Sequence, residues 1–168
     1  MIALDAWRAK GNRFDYDGNA IFYVEEGAGD PLVCIHGFPT ASWDWAWIWP
    51  ELTRRFRTIA PDMIGFGFSA KPRAYEYSLR DQATLHERLL AERGIGEAII
   101  LAHDYGDSVA QELLARYEER RAAGHDGLRI RGVCFLNGGI IPGEHRPRPM
   151  QRLLASPIGA LVGRLTNE

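Results

Sequence analysis

Short apolar runs bounded by glycine-marked turns alternate along this chain with longer stretches in which apolar positions recur every three or four residues. The first pattern is that of strands and the second that of amphipathic helices, so the alternation points to an α/β sheet, mostly parallel with helices on both faces. Phe14-Tyr16 and Ile21-Glu25 read as an antiparallel pair around Asp17-Gly18-Asn19, a sequence suited to a hairpin turn. Pro31 to Ile35 and Thr58 to Ala60 read as buried strands. Ser78-Leu79-Arg80-Asp81 has the form of a capping box that opens a helix toward Arg93, with Gly94 placed to end it. Glu97 to Leu101 is a further β-rich run. The helical pattern after it puts Val109, Leu113, Leu114 and Tyr117 on one side and Glu112, Arg116 and Arg120 at i, i+4 spacing on another, so one face is expected buried and one solvated. Gly124-His125-Asp126-Gly127 breaks that helix, and Ile130 to Leu136 returns as a strand. Trp43, Trp45, Trp47 and Trp49 alternate like a strand, yet Ile48, Leu52 and Phe56 continue at a spacing of four. That favours a helix packed on the sheet, with one or two of the indoles lining a pocket.

Beyond Asn137-Gly138-Gly139 the pattern changes, because Pro142, Pro147, Pro149 and Pro157 crowd into a short span. The compact core is therefore expected over residues 12–143, with 144–168 a separate region. A chain of 168 residues suffices for one domain that buries about 70% of its unfolded surface. The net charge of -2 and pI near 6.2 come with scattered basic residues, which gives no reason to expect nucleic acid or an anionic membrane as partner. No apolar run reaches the roughly 18 residues of a membrane span, and the first residues lack the apolar core of a signal peptide. A soluble, cytoplasmic product without a membrane anchor is the expectation. Cys34 and Cys134 sit in apolar runs and read as reduced core hydrophobes, with no disulfide framework and no metal site. Gly65-Phe66-Gly67-Phe68-Ser69 lacks the third glycine of a dinucleotide fingerprint and the lysine of a phosphate loop, so it reads as a strand-to-helix loop and no cofactor is expected.

The chemistry concentrates at Leu101-Ala102-His103-Asp104-Tyr105-Gly106-Asp107-Ser108. A strand leads into a small-x-Asp-x-Gly turn and a helix leads away, which is the context of a nucleophile elbow with a carboxylate where a serine usually stands. An aspartate, with an ordinary pKa of about 3.9, attacks without a base to deprotonate it. A carboxylate is a poor nucleophile toward amides and ordinary esters. It displaces at activated sp³ carbons, as in epoxides and alkyl halides, and the ester so formed must then be hydrolysed. The competing structural role for Asp104 is to cap the following helix. Upstream, His36-Gly37-Phe38-Pro39 follows a buried strand and can turn backbone N–H groups toward a pocket. An oxyanion hole at such an elbow uses one N–H from this loop and one from the residue after the nucleophile, which assigns Phe38 and Tyr105, with His36 and Gly37 supporting the loop. His103 points the wrong way for a base if the turn is sharp, and His125 and His145 come too early in the chain order of the triad.

These residues resemble a known family. His36-Gly37-Phe38-Pro39, then Pro61-Asp62-Met63-Ile64-Gly65-Phe66-Gly67-Phe68-Ser69, then His103-Asp104-Tyr105-Gly106 is similar to the α/β-hydrolase fold in its epoxide hydrolase and haloalkane dehalogenase branch. Gly37 through Trp45, Asp107 through Leu114, and Asn137-Gly138-Gly139 with His145-Arg146-Pro147 resemble the mesoderm-specific transcript subgroup of that branch. The resemblance implies the N-terminal part of an α/β-hydrolase sheet, truncated before its last strands. It also implies an Asp104 nucleophile, an oxyanion hole at Phe38 and Tyr105, a small apolar electrophile such as an epoxide as substrate, and the start of a cap or lid over 144–168. Dehalogenases of the branch typically carry Trp and often Asn where this chain has Tyr105 and Phe38, which favours the epoxide reading. Epoxide hydrolases usually have a small residue where this chain has Asp107, a carboxylate expected to raise the pKa of Asp104 or distort the elbow. In that family the cap tyrosines, the final strands, the acid and the catalytic histidine all follow the segment that corresponds to residues 1–168. The chain is therefore expected to be a fragment that forms the ester once and stalls, with its last strand an uncovered edge open to self-association. A haloalkane dehalogenase or other α/β-hydrolase activity, and a non-catalytic binding module, remain the alternatives.

Overall fold

The computed structural model describes residues 1–138 and Ser156. In chain order the elements are α1 (Leu4–Ala9), β1 (Gly11–Tyr16), β2 (Asn19–Glu26), β3 (Pro31–Ile35), a 3₁₀ segment (Ser42–Trp47), α2 (Trp49–Thr53), β4 (Arg57–Pro61), α3 (Leu79–Glu92), β5 (Glu97–His103), α4 (Tyr105–Ala123) and β6 (Arg129–Leu136). The six strands form one sheet in the order β1-β2-β4-β3-β5-β6. β1 and β2 are antiparallel, as are β2 and β4, whereas β4-β3-β5-β6 run parallel. This is the mostly parallel sheet with an opening hairpin that the sequence pattern predicts. Asp17 and Gly18 both take positive φ, 51° and 80°, which suits a two-residue turn whose twist matches the strands it joins.

Both faces of the sheet are buried, and strand periodicity decides which residue goes where. Ile21, Tyr23, Val33, Ile35, Ile59, Ala98, Ile100 and Ala102 face one core, which also takes Leu85, Leu89, Val109 and Leu113 from α3 and α4. The intervening Phe22, Val24, Leu32, Cys34 and Ala60 face a second core that takes Trp7, Trp45 and Trp49. Trp7 of α1 is fully buried, meets Trp49 edge-on at 4.8 Å and donates its indole N–H to Ser42 Oγ at 3.1 Å. The sequence pattern does not predict α1.

Ser78 caps α3 as expected, its Oγ accepting the Asp81 N–H at 3.1 Å, and Gly94 follows with φ 68°. The Asp81 carboxylate accepts the hydroxyls of Tyr16 and Tyr75.

Three expectations change. The polar side of α4 is not a bare solvated face. Arg116 and Arg120 reach Glu87 of α3 at 2.8 and 2.7 Å, so two long helices meet through half-buried ion pairs beside their apolar contact. Cys34 is buried but Cys134 is exposed, because β6 is the edge strand among the described residues and the outer side of an edge has no second layer. The tryptophan run is helical but not one helix. It splits into the 3₁₀ segment and α2, which buries Trp45 and Trp49 and leaves Trp47 69% exposed.

Gly65 to Ser69 lies in the loop between β4 and α3, as expected. The region 144–168, the last residues of the expected 12–143 core and His145 lie outside the described residues. No helix among the described residues is long and apolar enough to cross a membrane.

Candidate active site

β5 ends at His103 and α4 starts at Tyr105, so the whole reversal from strand to helix is made at Asp104. Its backbone pays for that with φ 54° and ψ -114°, a conformation that costs an L-residue about 1–3 kcal/mol and persists only where its surroundings enforce it. The sharpness of the turn also explains the glycine two residues on. A Cβ on Gly106 would stand 2.5 Å from the Ile35 carbonyl oxygen and 2.6 Å from that of His36. Only glycine lets the start of α4 lie against the end of β3.

That close approach brings the loop after β3 onto the elbow. The Phe38 N–H donates to Asp104 Oδ1 at 3.0 Å, and the Tyr105 N–H donates to the same oxygen at 2.7 Å. Asp104 Oδ2 makes no hydrogen bond with the described residues. The two amides named from the sequence thus converge on one oxygen of the one carboxylate, from positions far apart in the chain. Gly37 permits the approach, since a Cβ there would come 2.7 Å from Asp104 Cβ and 3.0 Å from His103 Nδ1. Asp104 is both the N-cap of α4 and the centre of the site; its carboxylate meets the first N–H of the helix, where the helix dipole favours negative charge.

The supporting histidine is a strut. The Met63 N–H donates to His36 Nε2 at 3.0 Å, so the ring proton resides on Nδ1 and is donated to the Gly37 carbonyl at 2.8 Å. Burial lowers its pKa to about 4, which keeps it neutral near pH 7. Asp62 performs a second anchoring role that sequence reasoning did not assign. Its buried carboxylate accepts the Ser42 N–H at 2.8 Å and the Phe68 N–H at 2.6 Å, and so ties the loop after β3 to the loop after β4. Burial raises its pKa against those hydrogen bonds. The signal was present in Pro61-Asp62-Met63, an acidic residue directly after a buried strand.

Phe66, also unassigned from the sequence, stands among the site's rings, 5.3 Å from His36, 6.2 Å from Phe38 and 6.1 Å from Tyr105. Phe38 itself is 52% exposed. The mouth of the site is therefore aromatic. The Asp107 N–H donates to the Asp104 carbonyl at 3.1 Å, and burial is the chief cause that raises the pKa of the Asp107 carboxyl. Among the described residues, the Asp104 carboxylate receives no hydrogen bond from a histidine. His125 follows the far end of α4, about 28 Å along the helix at 1.5 Å per residue. No group of His, Cys, Asp or Glu among the described residues is arranged to hold a metal ion.

A family model described as the alpha/beta hydrolase fold matches residues 30–148. This chain belongs to the α/β-hydrolase fold family. It is 45% identical over 174 residues to the mesoderm-specific transcript protein of Mus musculus, an alignment covering 98% of this chain and 51% of that protein. It is 33% identical over 148 residues to bifunctional epoxide hydrolase 2 of Sus scrofa, covering 84% of this chain and 24% of that one. The crystal structure of a haloalkane dehalogenase DbeA loop variant from Bradyrhizobium elkanii superposes with a TM-score of 0.64 at 32% identity, over 74% of this chain and 39% of that one. The chain spans about half the length of the mesoderm-specific transcript proteins it matches.

Proposed function

We propose that Asp104 is the nucleophile of an epoxide-hydrolase-like site and that the Phe38 and Tyr105 amides form its oxyanion hole. The observation that carries this reading is the asymmetry of the carboxylate: Oδ1 is held by two N–H groups while Oδ2 is left without a partner among the described residues. In the first step Oδ2 attacks an epoxide carbon, the C–O bond to the ring oxygen breaks, and that oxygen leaves as an alkoxide that takes up a proton. Asp104 is then a hydroxyalkyl ester whose carbonyl oxygen is Oδ1. In the second step water adds at Asp104 Cγ with loss of a proton to a base, and the negative charge develops on Oδ1. Two amides already aimed at that atom stabilise the charge without reorganising. Collapse releases the diol and restores the carboxylate. The acid that serves the alkoxide and the base that serves the water belong, in this reading, to parts of the whole protein outside the described residues.

The aromatic rim of Phe38, Phe66 and Tyr105 suits a small apolar electrophile. The same carboxylate geometry would serve an alkyl halide, but neither Phe38 nor Tyr105 offers a side-chain N–H to a departing halide, so the epoxide reading is preferred. The test is to incubate the chain with styrene oxide and map the products by peptide mass spectrometry. An ester on Asp104, absent from the Asp104→Ala protein, is expected. An unmodified Asp104 in folded protein, or bromide release from bromoalkanes without any reaction with the epoxide, would overturn it.

A further inference from the structure

Ester chemistry at Asp104 leaves the neighbouring carboxyl of Asp107 without a task, and its position is a costly one. It is 1% exposed, and a carboxyl withdrawn from water is unfavourable unless hydrogen bonds replace the hydration. Its bonds lead back to the nucleophile through a single residue. The Asp104 N–H donates to the Leu136 carbonyl at 3.0 Å, the Leu136 N–H donates to Asp107 Oδ1 at 3.3 Å, and the Asp107 N–H donates to the Asp104 carbonyl at 3.1 Å. Three residues from the end of β6 and the start of α4 thus close a ring around the elbow.

The exit from β6 is shaped to this carboxyl. Leu136 is the last residue of the strand, in register with His103. Asn137 then turns with φ 59°, and Gly138 lies so near that a Cβ on it would stand 2.1 Å from Asp107 Oδ2. Two links of the ring are backbone bonds of Asp104 itself. The third comes from a side chain, and it fixes the strand end that receives the Asp104 N–H. A residue at φ 54° needs such over-determination to stay in place.

We propose that Asp107 is a positioning residue for the nucleophile, acting through Leu136 to hold the Asp104 backbone so that Oδ1 remains on the Phe38 and Tyr105 amides. The inference rests on the reading of Asp104 as nucleophile. What the ring requires of residue 107 is an acceptor oxygen of the right reach, and not a negative charge. Burial favours the neutral acid, with the nearby Asp104 adding in the same sense and the Leu136 amide and His103 opposing it, and either form accepts through Oδ1 while Oδ2 has no hydrogen-bond partner among the described residues. Asparagine keeps that oxygen and puts its NH₂ in the place of Oδ2, which accepts no hydrogen bond from the described residues, and alanine removes the oxygen.

The experiment compares the 168-residue chain with its Asp107→Asn, Asp107→Ala and Asp104→Ala variants, reading the initial rate of Asp104 ester formation with styrene oxide by quenched peptide mass spectrometry. Each protein is assayed well below its own thermal midpoint. Ester formation in Asp107→Ala is expected to slow by about tenfold or more, as a displaced reacting group does, while Asp107→Asn stays near the wild-type rate. Amide exchange read by NMR gives a second measure that needs no chemistry: the Asp104 N–H should exchange faster in Asp107→Ala and as in wild type in Asp107→Asn. A wild-type rate and wild-type exchange in Asp107→Ala would overturn the proposal. Should the alanine variant not fold, Asp107→Ser, whose hydroxyl is too short to replace Oδ1, takes its place with the same expectations. Absence of any ester in the wild-type chain overturns the nucleophile reading instead, and the exchange measurement then still decides whether Asp107 holds the elbow.

Discussion

The amide nitrogen of Phe38 stands 3.0 Å from Oδ1 of Asp104, a carboxylate 66 residues further along the chain. Nothing in the Phe38 side chain makes that contact; it depends on how closely the backbone after β3 can approach the elbow. Gly37 sets the distance, because a methyl group there would collide with Asp104 Cβ at 2.7 Å. Gly37→Ala is therefore expected to push the loop away and withdraw one of the two donors from Oδ1. Loss of one such donor typically costs about 10²-fold in rate. Because the charge on Oδ1 develops when the ester is hydrolysed and not when it forms, the factor is read in the rate at which a preformed Asp104 ester is lost once the epoxide is removed, while the circular dichroism spectrum stays native. An unchanged rate would show that the Phe38 amide contributes nothing to the chemistry.

Two buried histidines make the fold sensitive to acid. Burial lowers the pKa of His36 and of His86 to about 4, against about 6.5 in an unfolded chain. The unfolded state therefore takes up protons first, and stability falls as the pH drops from about 6.5 toward 4, by up to about 3 kcal/mol for each histidine. Asp62 and Asp107, whose pKa values burial raises, act in the opposite sense, since the folded state protonates them first. Comparing His86→Leu with wild type by urea unfolding between pH 7 and pH 4 cancels those carboxyls. The variant should show the shallower decline; parallel curves would mean that His86 is not held neutral in the fold.

Much of this architecture was legible because both faces of the sheet are buried. In β2, β3 and β5 consecutive apolar residues alternate between the two cores, so strands such as Pro31–Ile35 stand out as continuous apolar runs. The hairpin, the Ser78 cap and the elbow were legible for a related reason, that each is specified by residue types a few positions apart. α1 was not, since it is six residues long and its place is fixed by one side chain meeting Trp49 and Ser42. The exposure of Cys134 was not legible either, because an apolar run does not say whether its strand is central or at an edge. At the site, the residue types of the His36 to Phe38 loop and of Asp104-Tyr105-Gly106 could be read in order. The anchoring by Asp62 and Asp107 could not, because their partners are backbone amides of Ser42, Phe68 and Leu136, and an amide leaves no mark on composition.

The short first helix is expected to matter more than its length suggests. Trp7 is fully buried between the sheet and Trp49, and its N–H satisfies the buried Ser42 hydroxyl. Truncating a buried tryptophan to alanine costs about 3–5 kcal/mol. Trp7→Ala should lower the urea midpoint accordingly, with Trp7→Phe losing less because it keeps an aromatic ring in the site and forfeits the hydrogen bond and part of the indole's volume. A loss of under about 1 kcal/mol in Trp7→Ala, well below that range, would show that α1 is not part of the cooperative unit.

The same logic applies with more force to Asp62, where two backbone donors depend on one side chain. Asp62→Ala strands the Ser42 and Phe68 N–H groups in a region from which water is largely excluded, at about 1–3 kcal/mol for each unsatisfied donor. Asp62→Asn keeps one acceptor oxygen but turns an NH₂ toward the other donor, so it should fall between alanine and wild type. The damage should also reach the chemistry, because Ser42 belongs to the loop that carries Phe38 toward Asp104. Chemical denaturation and the rate at which a preformed Asp104 ester is lost, measured on the same set of variants, separate the two effects. Both quantities are expected to decline in the order wild type, Asn, Ala. If stability declines while the rate of ester loss in the folded variants does not, Asp62 supports the fold alone, and the loop after β3 holds its Phe38 amide in place through His36 and Gly37 without it.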